Sequence, residues 1–280
     1  MNALATYSKM IKLSHSIFAL PFALAAAVLA SRQVEVTALQ VVWIVLCMVT
    51  ARSSAMGFNR IVDRDIDAQN PRTASREIPS GLISVRAAWA FTLGSAALFV
   101  VFAGLLGRLT LMLAPVALVI VWGYSLAKRY TALCHVVLGI ALAIAPTAVW
   151  IALTESFGLV PALLSLAVGT WVAGFDIIYS CQDADFDRER GLNSIPAALG
   201  IPGALMVSIG LHLITVGALV ALPWAVELGP IYWLGVAVIG SVLAYEHWIV
   251  RPDDLSRIDK AFFDLNGYVS LLFLVFVALS

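Results

Sequence analysis

Two short stretches of this 280-residue chain place oxygen-bearing side chains at a repeated four-residue step. The first reads Asn59-Arg-Ile-Val-Asp63-Arg-Asp-Ile-Asp67, and the second reads Asp176-Ile-Ile-Tyr179-Ser-Cys-Gln-Asp183-Ala-Asp-Phe-Asp187. Four residues are a little more than one helical turn, so such steps stay on one face. Continuing helices would align Asn59, Asp63 and Asp67 on one face, and Asp176, Tyr179, Asp183 and Asp187 on another. Carboxylates packed at a membrane boundary repel one another and lose hydration unless a cation sits among them. Magnesium suits that role, because it takes oxygen ligands, keeps several waters and is held by one or two carboxylates together with substrate phosphates. Two acidic faces therefore suggest magnesium ions bridging a diphosphate between them. One cluster alone would read as an ordinary solvated helix end. Two with matched spacing, each directly after an apolar helix, favour the metal.

Basic residues lie where phosphate oxygens would need them. Arg72 and Arg76 follow the first cluster in Asn70-Pro-Arg72-Thr-Ala-Ser-Arg76-Glu-Ile-Pro-Ser80-Gly81, and Lys128-Arg129 ends an apolar run. Arginine can grip a phosphate through two parallel hydrogen bonds. For Lys128 and Arg129 a second reading stands, that of charge fixing the topology at the cytoplasmic boundary. Asp176 and Tyr179 could orient or deprotonate a phenolic hydroxyl, with a place in an interfacial aromatic belt as the alternative for Tyr179. His15 is a candidate for an acceptor carboxylate or a structural residue at the mouth of the first span. Arg52 falls inside an apolar run two turns before Asn59, where an unpaired charge is expensive, so it should face the interior or snorkel to the boundary. His135, His212 and His247 follow no pattern. Cys47, Cys134 and Cys181 have neither pair nor zinc spacing and read as packing residues.

The elements that must hold these residues are membrane helices. The chain is 61% apolar and 12% charged, with a mean hydropathy of +0.96, whereas soluble domains are about 25% charged. Apolar runs near 16–31, 37–58, 88–106, 109–127, 133–153, 158–180, 203–222, 230–250 and 261–280 predict nine spans, each close to the roughly 20 residues a bilayer needs. Lys9, Lys12, Arg60, Arg64, Arg72, Arg76, Arg86, Lys128, Arg129, Arg188, Arg190, Arg251, Arg257 and Lys260 all fall on one side of that alternation, against Arg32 and Arg108 on the other. The bias places the N-terminus and the long loops 59–87 and 181–202 in the cytoplasm. Both acidic clusters then face the same side, which hints at an internal duplication. The apolar run after Lys12 imitates a signal peptide, but the rest of the chain is itself polytopic, which favours a retained span. A net charge of zero argues against nucleic acid as a partner, and no obligatory protein partner is indicated.

Taken in order, Asn59-x3-Asp63-x3-Asp67, Arg72-Thr73-x2-Arg76-x3-Ser80-Gly81, Lys128-Arg129 and Asp176-x2-Tyr179-x3-Asp183-x3-Asp187 resemble the UbiA-type intramembrane aromatic prenyltransferases over nearly the whole chain. The segments Ser14-His15-Ser16-Ile-Phe-Ala-Leu-Pro21-Phe22 and Pro252-Asp-Asp-Leu, followed by Ala261-Phe262-Phe263 and Asn266-Gly267, look like the branch of 4-hydroxybenzoate polyprenyltransferases and of the futalosine route to menaquinone. The resemblance implies a single all-α domain over 1–280, with nine helices around a central cavity under a cytoplasmic cap. It implies magnesium on Asn59, Asp63, Asp67, Asp183 and Asp187, and diphosphate contacts from Arg72, Lys128 and Arg129. The implied substrates are a polyprenyl diphosphate and an aromatic hydroxy acid, in a bacterial inner membrane. The sequence departs from the family pattern at Ile177 and at Asn193-Ser194-Ile195, neither of which removes a metal ligand. The competing class is a transporter or channel with intramembrane acids. Transport sites favour broken helices near the midplane, whereas almost every acid here lies at a cytoplasmic helix end.

Overall fold

A computed structural model describes residues 3–11 and 16–280. His15, the candidate for an acceptor carboxylate, lies outside the described residues. The described chain is helical: α1 (Ala3–Met10), α2 (Ser16–Ala30), α3 (Ala38–Val62), α4 (Arg64–Gln69), α5 (Val85–Leu106), α6 (Arg108–Ala127), α7 (Cys134–Thr154), α8 (Leu159–Ser180), α9 (Ala184–Glu189), α10 (Ile195–Ala221), α11 (Pro230–Ile249) and α12 (Asn266–Ala278). Among the described residues there is no strand, only an isolated bridge between Arg251 and Asp254. Among the described residues seven helical segments are long and apolar enough to cross a membrane, and Phe18–Ala30 is a shorter apolar helix. The remaining expected span coincides with α11, whose last turn carries Glu246 and His247.

The chain divides into two compact units, one of Met1–Ser16 with Ala38–Leu126, the other of Ile17–Thr37 with Ala127–Ser280. Lipid tails are as apolar as leucine, so helices in a membrane associate through close packing and buried hydrogen bonds instead of through hydrophobic burial. The first unit is built this way around α3 and α5. Ser54 Oγ donates to the Thr92 carbonyl at 3.0 Å and accepts from Trp122 Nε1 of α6 at 3.0 Å. Phe58 stacks on Trp122. At the far end of α3, Ile61, Ile78, Ile83 and Ala88 pack with Met10 and Ile11, so the loop after the first acidic cluster is folded onto the helix ends.

In the second unit α8 is the central element. It is apolar nearly all round, and the span it begins is the most buried of the seven long candidates, as expected for a helix enclosed by others. Gly139 of α7 meets Gly169 of α8 so closely that a Cβ at 139 would run into the Gly169 carbonyl oxygen. On the α10 side, Ser208 Oγ donates to the Gly174 carbonyl at 2.8 Å, and Thr170 and Thr215 share a 2.8 Å hydrogen bond. Toward α12, Trp171 Nε1 donates to Asn266 Oδ1, and Asn266 Nδ2 donates to Glu246 Oε1.

One span and the two long loops differ from expectation. The span predicted at 203 is preceded by a short helical stretch from Ile195, which Ser194 caps by accepting from the Ala197 amide, with Pro following at the start of the helix. The run is then broken at Gly200, whose φ of 70° no ordinary helix holds. The long loops also hold the six-residue helices α4 and α9.

Candidate functional site

The first motif is helical almost throughout. α3 ends at Val62 and α4 begins at Arg64, with Asp63 between them. The four-residue hydrogen-bonding rhythm crosses that joint, since the Asp63 amide donates to the Asn59 carbonyl at 3.0 Å and the Asp67 amide to the Asp63 carbonyl at 2.7 Å. Asn59 and Asp63 are half-buried, and Asn59 Nδ2 donates to Asp63 Oδ2 at 2.8 Å. Asp67 is buried and takes both of its oxygens to Arg76 Nη1 at 2.7 Å. Arg76, expected on a phosphate, thus grips a carboxylate here. Arg72 is exposed, its backbone amide donating to Asn70 Oδ1. Arg52 is half-buried in α3, with its Nε inside the packing.

In the second motif, α8 passes through one turn of 3-10 helix at Cys181–Asp183 into α9. Asp183 and Asp187 are buried. Lys128 Nζ lies 2.7 Å from Asp187 Oδ1, so this lysine, expected on the diphosphate, is paired with the motif itself. Asp187 is wholly buried, and its Oδ2 has no hydrogen-bond partner among the described residues. A buried, unsatisfied carboxylate oxygen is costly, and a cation is the natural way to satisfy it. Arg129 is exposed. Tyr179 is half-buried, packing on Phe262 with ring centroids 4.2 Å apart and edge-on to Phe263.

The alternating acids behave differently. Asp65 pairs with Arg64 and is 75% exposed, whereas Asp67 is 7% exposed. Asp185 pairs with Arg188 and is 92% exposed, whereas Asp187 is 0% exposed. Each motif therefore turns one pair of carboxylates inward and the intervening one outward. Among the described residues no three His, Cys, Asp or Glu side chains gather into a ready ligand set. The all-oxygen donors and the orphaned Asp187 oxygen fit a hard divalent cation that completes its shell with water and phosphate.

Sequence reasoning missed His135. It is buried in the first turn of α7, its Nδ1 is 2.7 Å from Asp176 Oδ2, and its Nε2 accepts from the Ile195 amide at 3.3 Å. Asp176 lies 41 positions away, so no local spacing could reveal the pair. His212 and His247, also without pattern in the sequence, share a 3.0 Å hydrogen bond. The three cysteines are free and buried, in keeping with a packing role.

A helical chain with seven long apolar spans among its described residues defines an integral-membrane protein. Residues 19–275 match the UbiA prenyltransferase family, and the chain belongs to that family. It is 31% identical over 234 residues to the 4-hydroxybenzoate octaprenyltransferase of Enterobacter sp. (strain 638), covering 82% of this chain and 78% of that one. With the Citrobacter koseri enzyme of the same name the identity is 32% over 230 residues, at the same coverage. Among solved structures, a UbiA homolog from Aeropyrum pernix K1 superposes with a TM-score of 0.86 at 36% identity, over 95% of this chain and 97% of that one. A UbiA homolog from Archaeoglobus fulgidus, bound to DMAPP and Mg2+, shares the fold with a TM-score of 0.78 at 19% identity, over 97% of each chain. Family membership decides between the enzyme and the transporter in favour of the enzyme, a membrane prenyltransferase.

Proposed function

We propose that this aromatic prenyltransferase transfers a polyprenyl group from a polyprenyl diphosphate to an aromatic hydroxy acid of the 4-hydroxybenzoate or 1,4-dihydroxy-6-naphthoate type. The reaction serves ubiquinone or menaquinone biosynthesis at the cytoplasmic side of a bacterial inner membrane. The observation that carries this reading is the alternation of burial, with Asp67 and Asp187 turned in and Asp65 and Asp185 turned out. The names of the curated relatives supply the class of acceptor.

Asn59, Asp63 and Asp67 in one motif, and Asp183 and Asp187 in the other, are the proposed magnesium ligands. Magnesium bound there supplies positive charge against the diphosphate oxygens, the common electrostatic role of such ions. Arg72 and Arg129, both exposed beside the motifs, add charge to the same oxygens. Lys128 and Arg76 hold Asp187 and Asp67 in place and are close enough to the motifs to share the incoming phosphate. The allylic carbon–oxygen bond breaks and its electron pair leaves with the diphosphate. The ring carbon ortho to the acceptor hydroxyl then forms the new carbon–carbon bond and loses its proton. Asp176 orients that hydroxyl, takes its proton as the ring becomes nucleophilic and returns it to the oxygen once the ring carbon has lost its own proton to the departed diphosphate, while apolar helices exclude the water that would quench an allylic cation. Tyr179, one turn further along α8, lies beside the same hydroxyl.

The test is to incubate membranes containing the protein with a polyprenyl diphosphate and a panel of phenolic acids, and to identify products by mass. A prenylated acid is expected, its formation abolished by chelator and restored by magnesium or manganese. Absence of product from every acid tried would remove the acceptor class, and activity indifferent to chelator would remove the metal.

A further inference from the structure

His135 and Asp176 form a buried dyad whose hydrogen-bonding sense is fixed by the backbone. A backbone amide can only donate, so the Ile195 N–H at 3.3 Å requires a lone pair on His135 Nε2. The ring proton is then on Nδ1, aimed at Asp176 Oδ2 at 2.7 Å. His135 is almost wholly enclosed, at 3% side-chain exposure, while Asp176 keeps 24%. Among the described residues Asp176 Oδ1 makes no hydrogen bond, so one carboxylate oxygen is tied down and the other is open.

The same histidine is anchored to the segment where the sequence leaves the family pattern. The Asn193 amide donates to the Lys128 carbonyl at 2.8 Å, Cys134 Sγ donates to the Asn193 carbonyl at 3.4 Å, and Ile195 holds the ring. The first amides of a helix lack intrahelical partners, and in α10 one of them is spent on His135.

We propose that His135 is a positioning residue for prenyl transfer: its single-tautomer Nδ1–H holds Asp176 Oδ2, so that Oδ1 is presented to the acceptor hydroxyl. This rests on the reading of Asp176 given above. The Asn193-Ser194-Ile195 segment is thereby part of acceptor positioning, through the tautomer it imposes.

The variants H135L, H135Q, D176N and H135L/D176N separate this from a purely structural role. Glutamine can donate to Asp176 and accept from Ile195, whereas leucine can do neither. Turnover per folded enzyme, KM for each substrate and Tm would be measured in membranes or micelles. H135L is expected to lower kcat by about tenfold or more, with KM for the polyprenyl diphosphate within about twofold of the parent. H135Q should stay within about threefold, and H135L should cost nothing further once Asp176 is Asn, because the two act as one unit. A lowered Tm with unchanged kcat in H135L would overturn the proposal, as would equal losses in H135L and H135Q. Normal turnover in H135L beside an inactive D176N overturns the role of His135 alone. Full turnover in D176N overturns the role of Asp176 and the dyad with it.

Discussion

At the scale of single residues, the acids are distinguished by direction. Successive helical residues turn by about 100°, so Asp65 points roughly 160° away from both Asp63 and Asp67, and Asp185 likewise from its neighbours. Exposure follows that phase in both motifs. Asp63→Asn, Asp67→Asn, Asp183→Asn and Asp187→Asn should each lower prenyl transfer by about two orders of magnitude or more at normal membrane abundance, the scale of losing one transition-state contact. Asp65→Asn and Asp185→Asn should stay within about threefold, since a surface ion pair contributes little. A general attraction between negative motifs and magnesium would predict similar losses at all six positions, and a radiolabelled transfer assay tells the two patterns apart. The inward acids were legible in the sequence because their spacing is local. Their partners were not: Arg76 on Asp67, Lys128 on Asp187 and His135 on Asp176 are choices made by tertiary packing, whereas the phosphate role expected of Arg76 came from charge and that of Lys128 from charge and the family resemblance.

At the scale of elements, hydropathy revealed the spans because each is a long apolar run, and it was blind to α4 and α9, whose six residues are fewer than two turns. The early start of α10 depended on a cap at Ser194, a signal of one hydrogen bond inside a polar stretch. A π-helical segment at Lys260–Leu265 precedes α12 and brings Phe262 onto Tyr179; its wider turn leaves no mark in composition. The placement of α8, and of Asp176 upon it, depends on how near α7 can come. Gly139 and Gly169 form that contact, yet they are not equivalent. A methyl group at Gly139 meets backbone, whereas at Gly169 it meets only ordinary neighbours, the Ala143 side chain at 3.4 Å being the closest. Gly139→Ala should therefore force the helices apart and cost about 1–3 kcal/mol. Gly169→Ala should be neutral or slightly stabilising, as alanine is the better helix former. Thermal unfolding in detergent micelles compares the two, and equal Tm values would show that the α7–α8 approach is not limiting.

At the scale of the whole molecule, composition alone assigned the chain to a membrane, and the distribution of its charges supplies an orientation. The second compact unit takes residues 17–37 from the N-terminal part of the chain, so neither unit can be cut free without severing covalent connections, and residues 1–280 are proposed to act as one domain. For both motifs to serve one diphosphate they must open on the same side of the bilayer. In the proposed orientation, which rests on the excess of Lys and Arg in the loops that carry them, that side is the cytoplasm. Ser75, Arg190 and Glu227 are exposed, while the native Cys47, Cys134 and Cys181 are buried, so a cysteine introduced at any one of the three should dominate labelling by a membrane-impermeant maleimide. In intact cells Glu227→Cys should label, and Ser75→Cys and Arg190→Cys should label only after the membrane is opened. Inversion of all three would reverse the orientation and leave the enzyme intact. Labelling of positions 75 and 190 from opposite sides would be more damaging, because no single diphosphate could then reach both carboxylate faces, and the two-motif mechanism would have to be abandoned even if each motif bound magnesium on its own.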